Sequence, residues 1–173
     1  MSWTNALLRS VVWLGAAGVY AYLKKPAGAS LSAIRLDAPG WLGASLVGAG
    51  LGLHCWSNVV LARAEPAAGQ APAALVAAGP YRFVRNPIYL AGISLLLGVG
   101  LLYAPWRAAD LVAPVVLLAF FHLRIVRFEE PALRKRFGAS YDDYCGRVPR
   151  WLPRLPIGRV AQQGGATDGA PRR

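Results

Sequence analysis

Charged residues are scarce in this sequence of 173 residues, and acidic residues are scarcer still. Only 16% of the residues are charged, with 8 Asp and Glu against 19 Lys and Arg, whereas about a quarter of a typical soluble domain is charged. Hydrophobic residues make up 55% of the chain, and the mean hydropathy is +0.38. Because long uncharged stretches alternate with short basic clusters, the composition is typical of an integral membrane protein.

The net charge of +11 does not indicate nucleic acid binding. Eleven of the nineteen Lys and Arg residues lie between Arg124 and Arg173, and most of the others flank apolar stretches. The sequence has no alternation of aromatic and basic residues and no zinc-finger or helix-turn-helix spacing. We predict that the basic residues face lipid head groups and that nucleic acid is not a partner.

Cysteine is almost absent, since the chain contains only Cys55 and Cys145. Two cysteines are too few for a disulfide framework, and neither has a partner at metal-ligand spacing. We therefore predict two free thiols and no metal site.

Four apolar stretches are candidates for membrane spans, each of which needs about 20 residues. They lie at about 6–23, 38–62, 86–106 and 111–128, and the last spans only if its helix continues to about Phe128. Lys24 and Lys25 follow the first stretch instead of preceding it, which favours a retained span over a signal peptide. The sequence predicts an all-α integral membrane protein with about four transmembrane helices and a short amphipathic C-terminal cytoplasmic helix.

The Lys and Arg distribution also predicts orientation. Positive residues favour the cytoplasmic side, which places the basic tail and the 63–85 loop in the cytoplasm, beneath the inner membrane. Lys24, Lys25 and Arg35 would then lie on the outer side, against this rule. We predict one membrane-embedded domain at 1–159, followed by a disordered polar tail at 160–173.

The first cluster of chemical interest is GPYRFVRNPIYLAG at 79–92. Gly79-Pro80 indicates a turn, and Asn86-Pro87 is typical of a helix start. A purely structural interpretation is a helix that begins near lipid head groups. In a functional interpretation, the positive helix end and Arg85 bind an anionic ligand group.

The second cluster is Glu129-Glu130 at the end of the fourth apolar stretch. These carboxylates could pair with Arg124, Arg127 or Arg134 on neighbouring helical turns. They could also bind a cationic or hydroxyl-rich ligand, because charged residues at membrane depth are often functional. Both clusters flank one predicted hairpin, so we expect them to meet in one pocket.

Together these motifs resemble the isoprenylcysteine carboxyl methyltransferase and phospholipid methyltransferase superfamily over about 76–153. Its pattern is a Gly-x-Tyr turn, Arg-His/Asn-Pro-x-Tyr-x-x-Gly, a hydrophobic hairpin, Glu-Glu-x-x-Leu, Phe-Gly-x-x-Tyr-x-x-Tyr and Val-Pro. The matching residues are Gly79, Tyr81, Arg85-Asn86-Pro87-Ile88-Tyr89, Gly92, Glu129-Glu130, Leu133, Phe137-Gly138, Tyr141, Tyr144, Arg147 and Val148-Pro149.

The resemblance implies transfer of a methyl group from S-adenosylmethionine to a lipophilic acceptor at the cytoplasmic membrane face. It implies a cofactor pocket formed by Arg85, Asn86, Tyr89 and Gly92 on one side and by Glu129 and Glu130 on the other. The two carboxylates would hold the ribose hydroxyls or the methionyl ammonium.

The remaining expected site residues belong to the substrate side or to a lid. Tyr141, Tyr144 and Arg147 would close over the pocket. His122, two helical turns before Glu129, would either line it or pack between helices. Asn86 stands where the isoprenylcysteine branch commonly has His, and at this position the sequence looks more like the phospholipid branch. Because Asn cannot titrate, no catalytic base is identified.

The sequence leaves the acceptor open among an isoprenylcysteine-type carboxylate, a phospholipid amine and a small thiol. One alternative enzyme is a membrane reductase of the sterol-reductase type, which would bind NADPH. Another alternative is a non-enzymatic membrane scaffold, in which the glutamates would affect stability and no ligand.

Overall fold

A computed structural model of the chain describes residues 11, 13–16, 18–20, 34, 37–64, 74–103 and 109–153. This part is mainly helical and has no strand apart from one isolated bridge between Ile34 and Tyr103. The helical prediction is confirmed. The expected disordered tail at 160–173 lies outside the described residues. The helices with defined bounds are α1 (Ala38–Ala64), α2 (Pro87–Leu102), α3 (Ala109–Arg124), α4 (Glu130–Phe137) and α5 (Ala139–Arg147).

Two helices in the described part are long and apolar enough to cross a membrane. They are α1, with 27 residues, and the continuous helix Asp110–Phe137, with 28 residues, which runs through α3 and α4. Helix α2 is apolar but has only 16 residues. The expected total of about four spans would also need α2 and the helical residues between 11 and 20, and it stays a prediction.

Helices α1 and α2 approach closely because glycines lie at their contact. A Cβ on Gly43 would lie 2.7 Å from the carbonyl oxygen of Gly98, and a Cβ on Gly98 would lie 2.7 Å from that of Gly43. Farther along, a Cβ on Gly50 would lie 2.9 Å from the carbonyl oxygen of Ala91. Small residues at such contacts let membrane helices pack backbone to backbone. This packing fixes the position of α2 along α1.

The N-terminal segment, defined here as described residues 11, 13–16 and 18–20, is helical and packs against α2 and α3. Near one end, Trp13 contacts Tyr89 and Phe121. At the other end, the Tyr20 hydroxyl donates a 2.8 Å hydrogen bond to buried Asp110. Since Tyr89 lies at the start of α2 and Asp110 at the start of α3, the segment runs along the length of the bundle.

The chain turns back after α4 at Gly138, which has φ +53°. This left-handed region is strained for residues with a Cβ, so glycine is the suitable residue here. The expected short C-terminal helix follows as α5. Its Tyr144 is buried, and the Tyr144 hydroxyl donates a 2.8 Å hydrogen bond to the carbonyl oxygen of Tyr81. This contact holds α5 against the short 3₁₀ turn Gly79–Arg82 that precedes α2.

Candidate active site

A cavity of 380 Å³ lies where the two sequence clusters meet at one end of the bundle. Its walls come from the N-terminal segment, α1, residues 74–76, the 3₁₀ turn, the start of α2, residues 125–129, α4 and α5. The hairpin therefore brings its two ends together as expected. Seven of the predicted site residues line the cavity: Arg85, Asn86, Tyr89, Glu129, Glu130, Tyr141 and Tyr144.

The other three predicted site residues have different surroundings and do not line this cavity. Gly92 faces the indole of Trp13, whose ring carbons a Cβ at this position would approach to 2.2–2.5 Å. The exposed Arg147 donates from Nε to the carbonyl oxygen of Asp143 at 3.3 Å. His122 accepts at Nδ1 a 3.2 Å hydrogen bond from the indole nitrogen of Trp151.

The start of α2 is held by the segment that follows α5. Helix α2 begins at Pro87 with Asn86 in the N-cap position, as the sequence predicts, but the Asn86 side chain makes no capping hydrogen bond. Instead, Asn86 Nδ2 donates to the carbonyl oxygen of Arg150 at 3.3 Å. The backbone N–H of Arg85 donates to the carbonyl oxygen of Pro149 at 2.9 Å. These contacts bring Arg150 next to Glu130, which lines the cavity.

Glu130 binds two arginines from distant parts of the chain. Arg150 donates from Nε and Nη2 to the two carboxylate oxygens at 2.8 and 2.9 Å, and Arg85 Nη1 donates to Oε1 at 3.0 Å. Paired hydrogen bonds between a guanidinium and a carboxylate are strong and directional. The hydrogen bond to Glu130 raises the pKa of Arg150. We call Arg85, Glu130 and Arg150 the boundary cluster.

Arg85 connects this cluster to α5 and also keeps one unused donor. Its Nη1 donates to the Cys145 sulfur at 2.9 Å. Its Nε is buried and has no hydrogen-bond partner among the described residues. A buried donor without an acceptor is costly, so such an atom beside a cavity is suited to a ligand oxygen.

Glu129 faces the other side of the cavity. The Tyr89 hydroxyl donates to Glu129 Oε1 at 2.5 Å, and Arg124 contacts both groups. Residues 124 and 129 are five apart, the spacing of a π-helical hydrogen bond, and Ile125–Glu129 is π-helical. The ion pair between Arg124 and Glu129, one of those that the sequence suggested, is therefore present. Glu130 instead pairs with Arg85 and Arg150.

The two tyrosines of α5 contribute neutral hydroxyls to the cavity wall. Burial raises the pKa of Tyr144, and burial together with a hydrogen bond to Cys145 raises the pKa of Tyr141. Both phenols are therefore protonated at neutral pH. They can donate hydrogen bonds and exclude water, but they are poor general bases.

Several residues at this site were not among those predicted from the sequence, and Arg150 and Trp13 matter most for its chemistry and shape. Arg150 is one of eleven basic residues in the last third of the chain, and its position directly after Val148-Pro149 was the available signal. Trp13 lies in the N-terminal apolar stretch, where one aromatic residue gives no indication of a site. It is only 7% exposed and lines the cavity.

The helical hairpin and its boundary carboxylates lie within the part of the chain that resembles a membrane methyltransferase superfamily. The chain matches the family model described as phospholipid methyltransferase over residues 39–140, more than half of its length, and it belongs to this family. The superfamily resemblance seen in the sequence is thereby confirmed.

Similar curated proteins include two methyltransferases. The protein-S-isoprenylcysteine O-methyltransferase of Schizosaccharomyces pombe is 32% identical over 117 residues, which cover 61% of this chain and 49% of that protein. Methanethiol S-methyltransferase 2 of Bradyrhizobium diazoefficiens is 37% identical over 79 residues, which cover 43% of this chain and 27% of that protein. These names support methyltransferase activity.

A third relative has a different kind of name. The nickel-cobalt-cadmium resistance protein NccN of Alcaligenes xylosoxydans xylosoxydans is 29% identical over 120 residues, which cover 69% of this chain and 55% of that protein. The chain thus spans 27–55% of the length of these relatives. The described residues contain no cluster of three or more His, Cys, Asp or Glu that could hold a metal. No solved structure matches the chain at a significant level.

Proposed function

We propose that this protein is an integral membrane methyltransferase that transfers the methyl group of S-adenosylmethionine to a lipophilic acceptor. We place the reaction at the cytoplasmic face of the inner membrane, with the C-terminus in the cytoplasm. The observation that carries the proposal is the boundary cluster beside a 380 Å³ cavity, in a chain that belongs to a methyltransferase family.

The boundary cluster fits the carboxylate of the donor's methionyl group. Glu130 neutralises one of the two arginines that it binds, so the cluster keeps one positive charge. The unused Nε of Arg85 supplies a buried donor at the same place. The first turn of α2 adds backbone N–H groups that have no acceptor within the helix. An anionic group therefore suits this wall.

Glu129 fits the cationic or hydroxyl-bearing parts of the donor. Its Oε1 accepts from Tyr89 and Arg124, whereas Oε2 has no donor in the described part of the chain. We assign Oε2 of Glu129 to the ribose hydroxyls or the methionyl ammonium. Glu130, whose two oxygens are occupied by arginines, is assigned to positioning Arg85 and Arg150.

The protein's chemical task is alignment. Bound S-adenosylmethionine supplies a methyl group that its sulfonium has already activated. The residues of the cavity have to bring the acceptor atom into line with that methyl group and exclude water. Orientation of this kind can remove several kcal/mol from a barrier.

The site favours a carboxylate acceptor, of the isoprenylcysteine type, over a phospholipid amine. A carboxylate is ionised at neutral pH, whereas an ammonium must first lose a proton to a base. The described lining contains no histidine, and its two glutamates are already paired with arginines. An ammonium would also find little free negative charge, because Glu130 is paired with Arg85 and Arg150, Glu129 is paired with Arg124, and Arg136 adds a further positive charge to the lining.

The proposal is tested by calorimetric titration of the full chain, purified in detergent, with S-adenosylhomocysteine. We expect the wild type to bind and the Glu129→Gln/Glu130→Gln variant to bind at least ten times more weakly. Arg134→Gln is the control, because its partner Asp142 lies outside the cavity lining. A folded wild type that binds NADPH but not S-adenosylhomocysteine would instead support the reductase alternative.

A further inference from the structure

The cavity has a polar wall and an apolar wall. The polar wall is formed by Arg85, Glu129, Glu130 and the tyrosines of α5. The apolar wall lies on the side of the helix bundle and is formed by Trp13, Leu61, Ile88 and Ile125. A donor bound through its charged groups belongs on the first wall, which leaves the second for an apolar part of the acceptor.

Trp13 closes the apolar wall toward the middle of the bundle. Its ring lies 6.3 Å from that of Tyr89, edge to face, and 5.2 Å from that of Phe121. Tyr89 and Phe121 stack on each other at 4.6 Å. The three aromatic rings form one packed group, so Trp13 has little freedom to move aside.

Gly92 is what allows Trp13 to lie so deep. The indole packs directly on the α2 backbone, where a Cβ on residue 92 would come within 2.5 Å of its ring carbons. Gly92 lies three residues beyond Tyr89, about 4.5 Å farther along α2 from the polar wall. The indole therefore forms the floor of the cavity.

The volume of the cavity limits what can lie on this floor. Ligand pockets occupy about 300–1,000 Å³, and 380 Å³ is near the lower end of that range. A cavity of this size leaves little room for the acceptor once a donor is bound. The enclosed part of the acceptor is therefore a short apolar group.

We propose that Trp13 is a specificity-determining residue whose indole ends an apolar subsite and sets the length of the aliphatic chain that the acceptor can bury there. The proposal rests on the proposed function, because the donor is taken to fill the polar wall. It assigns to the N-terminal segment the choice among acceptors, and to Gly92 the role of admitting the indole.

The test measures how affinity depends on chain length. The full chain, in lipid nanodiscs saturated with S-adenosylhomocysteine, is titrated with n-alkylthioacetic acids from butyl to dodecyl, and empty nanodiscs correct for partitioning. In the wild type we expect the affinity to rise about fourfold for each methylene that is enclosed and then to level off. In Trp13→Ala the affinity should level off at an alkyl chain that is several methylenes longer than in the wild type.

Two further variants keep the result interpretable. Trp41→Ala is the matched control, because Trp41 is on α1, is 63% exposed and does not line the cavity. It should keep the wild-type profile. Trp13→Phe removes only part of the indole and should shift the profile by a smaller amount. If Trp13→Ala misfolds and loses S-adenosylhomocysteine binding, the Trp13→Phe profile shows whether Trp13 limits the chain length.

The outcomes separate the two proposals. A wild type that does not bind S-adenosylhomocysteine rejects the proposed function and, with it, the subsite. If S-adenosylhomocysteine binds but no alkylthioacetate does, or if Trp13 variants that still bind it level off at the wild-type length, only the subsite proposal is overturned.

Discussion

The boundary cluster and the glycine contact between α1 and α2 show two ways in which this chain brings distant residues together. In the boundary cluster, side chains 20 and 45 residues apart meet through charged hydrogen bonds. At the glycine contact, side chains are absent and backbones touch through Gly43 and Gly98. The first arrangement depends on each partner's charge, whereas the second depends on volume alone.

This difference predicts different consequences of mutation. Removing one charge from the boundary cluster leaves other charges buried without a partner, and ligand binding should suffer together with stability. Adding a methyl group at the glycine contact should lower stability and leave the ligand affinity of the folded protein nearly unchanged. Four substitutions test this distinction.

Glu130→Gln should have the largest effect. The Glu130 side chain is only 5% exposed and binds two arginines. Breaking a buried ion pair from one side costs about 3–5 kcal/mol, because it leaves the other charge uncompensated. We expect a loss of this size in denaturant unfolding and at least tenfold weaker binding of S-adenosylhomocysteine. Glu129→Gln, at a side chain that is 30% exposed, should lose less stability. Equal losses would contradict this ranking.

Gly43→Ala should come next. Its Cβ would lie 2.7–2.8 Å from backbone atoms of α2, and overpacking of this kind costs about 1–3 kcal/mol. Gly48→Ala, in the same helix, is the matched control, since nothing lies within 4 Å of its Cβ. We expect the control to be neutral or slightly stabilising, because alanine favours helix. Thermal unfolding in detergent measures both. Similar destabilisation by the two variants would argue against the close contact.

Trp151→Phe should have a smaller effect than either. It removes the indole N–H that donates to His122, a hydrogen bond worth about 0.5–1.5 kcal/mol. Because Arg150 precedes Trp151, calorimetry should also show modestly weaker S-adenosylhomocysteine binding. Leu152→Ala, at a neighbouring side chain that is 80% exposed, should leave both properties unchanged. If Trp151→Phe behaves like Leu152→Ala, the hydrogen bond does not help to hold Arg150.

Arg134→Gln should have the smallest effect. Arg134 pairs with Asp142 at 2.9 Å between α4 and α5, but both side chains are exposed. Exposed pairs contribute little, because water and salt screen them. We expect S-adenosylhomocysteine affinity to stay at its wild-type value in calorimetry, in contrast to Glu130→Gln. A large loss would mean that the fold of α5 depends on this pair.

The long helices could be predicted from the sequence because their ends carry local signals. Asp37 precedes α1, and its Oδ1 accepts from the backbone N–H of Gly40 at 3.1 Å. Asn86-Pro87 marks the start of α2 through the proline at its first position, although the Asn86 side chain makes no capping hydrogen bond. The helices between these ends could be predicted from long runs without charge. A helix that faces lipid needs only apolar residues and no particular periodic pattern.

The meeting of Arg85 and Glu130 could also be anticipated, because a hairpin returns its ends to one side. The pairing of Glu130 with Arg150, which lies beyond α5, could not be anticipated. Arg150 reaches Glu130 because Gly138 turns the chain and the carbonyl oxygen of Pro149 accepts from the backbone N–H of Arg85, and these contacts are not local in sequence. The position of Trp13 depends on how its helix is rotated against α2, which an apolar stretch does not reveal.

The π-helical stretch Ile125–Glu129 has a consequence for the register of everything after it. A π turn accommodates one residue more than an α turn, so it acts as a single-residue insertion in an otherwise regular helix. If the same residues formed a regular α-helix without the π turn, α4 and its continuation would be rotated by about 100° relative to α3. The two glutamates, which are adjacent in sequence, would then no longer contact separate neighbours, Arg124 with Tyr89 on one side and Arg85 with Arg150 on the other. The extra residue of the π turn therefore sets the direction in which each carboxylate points.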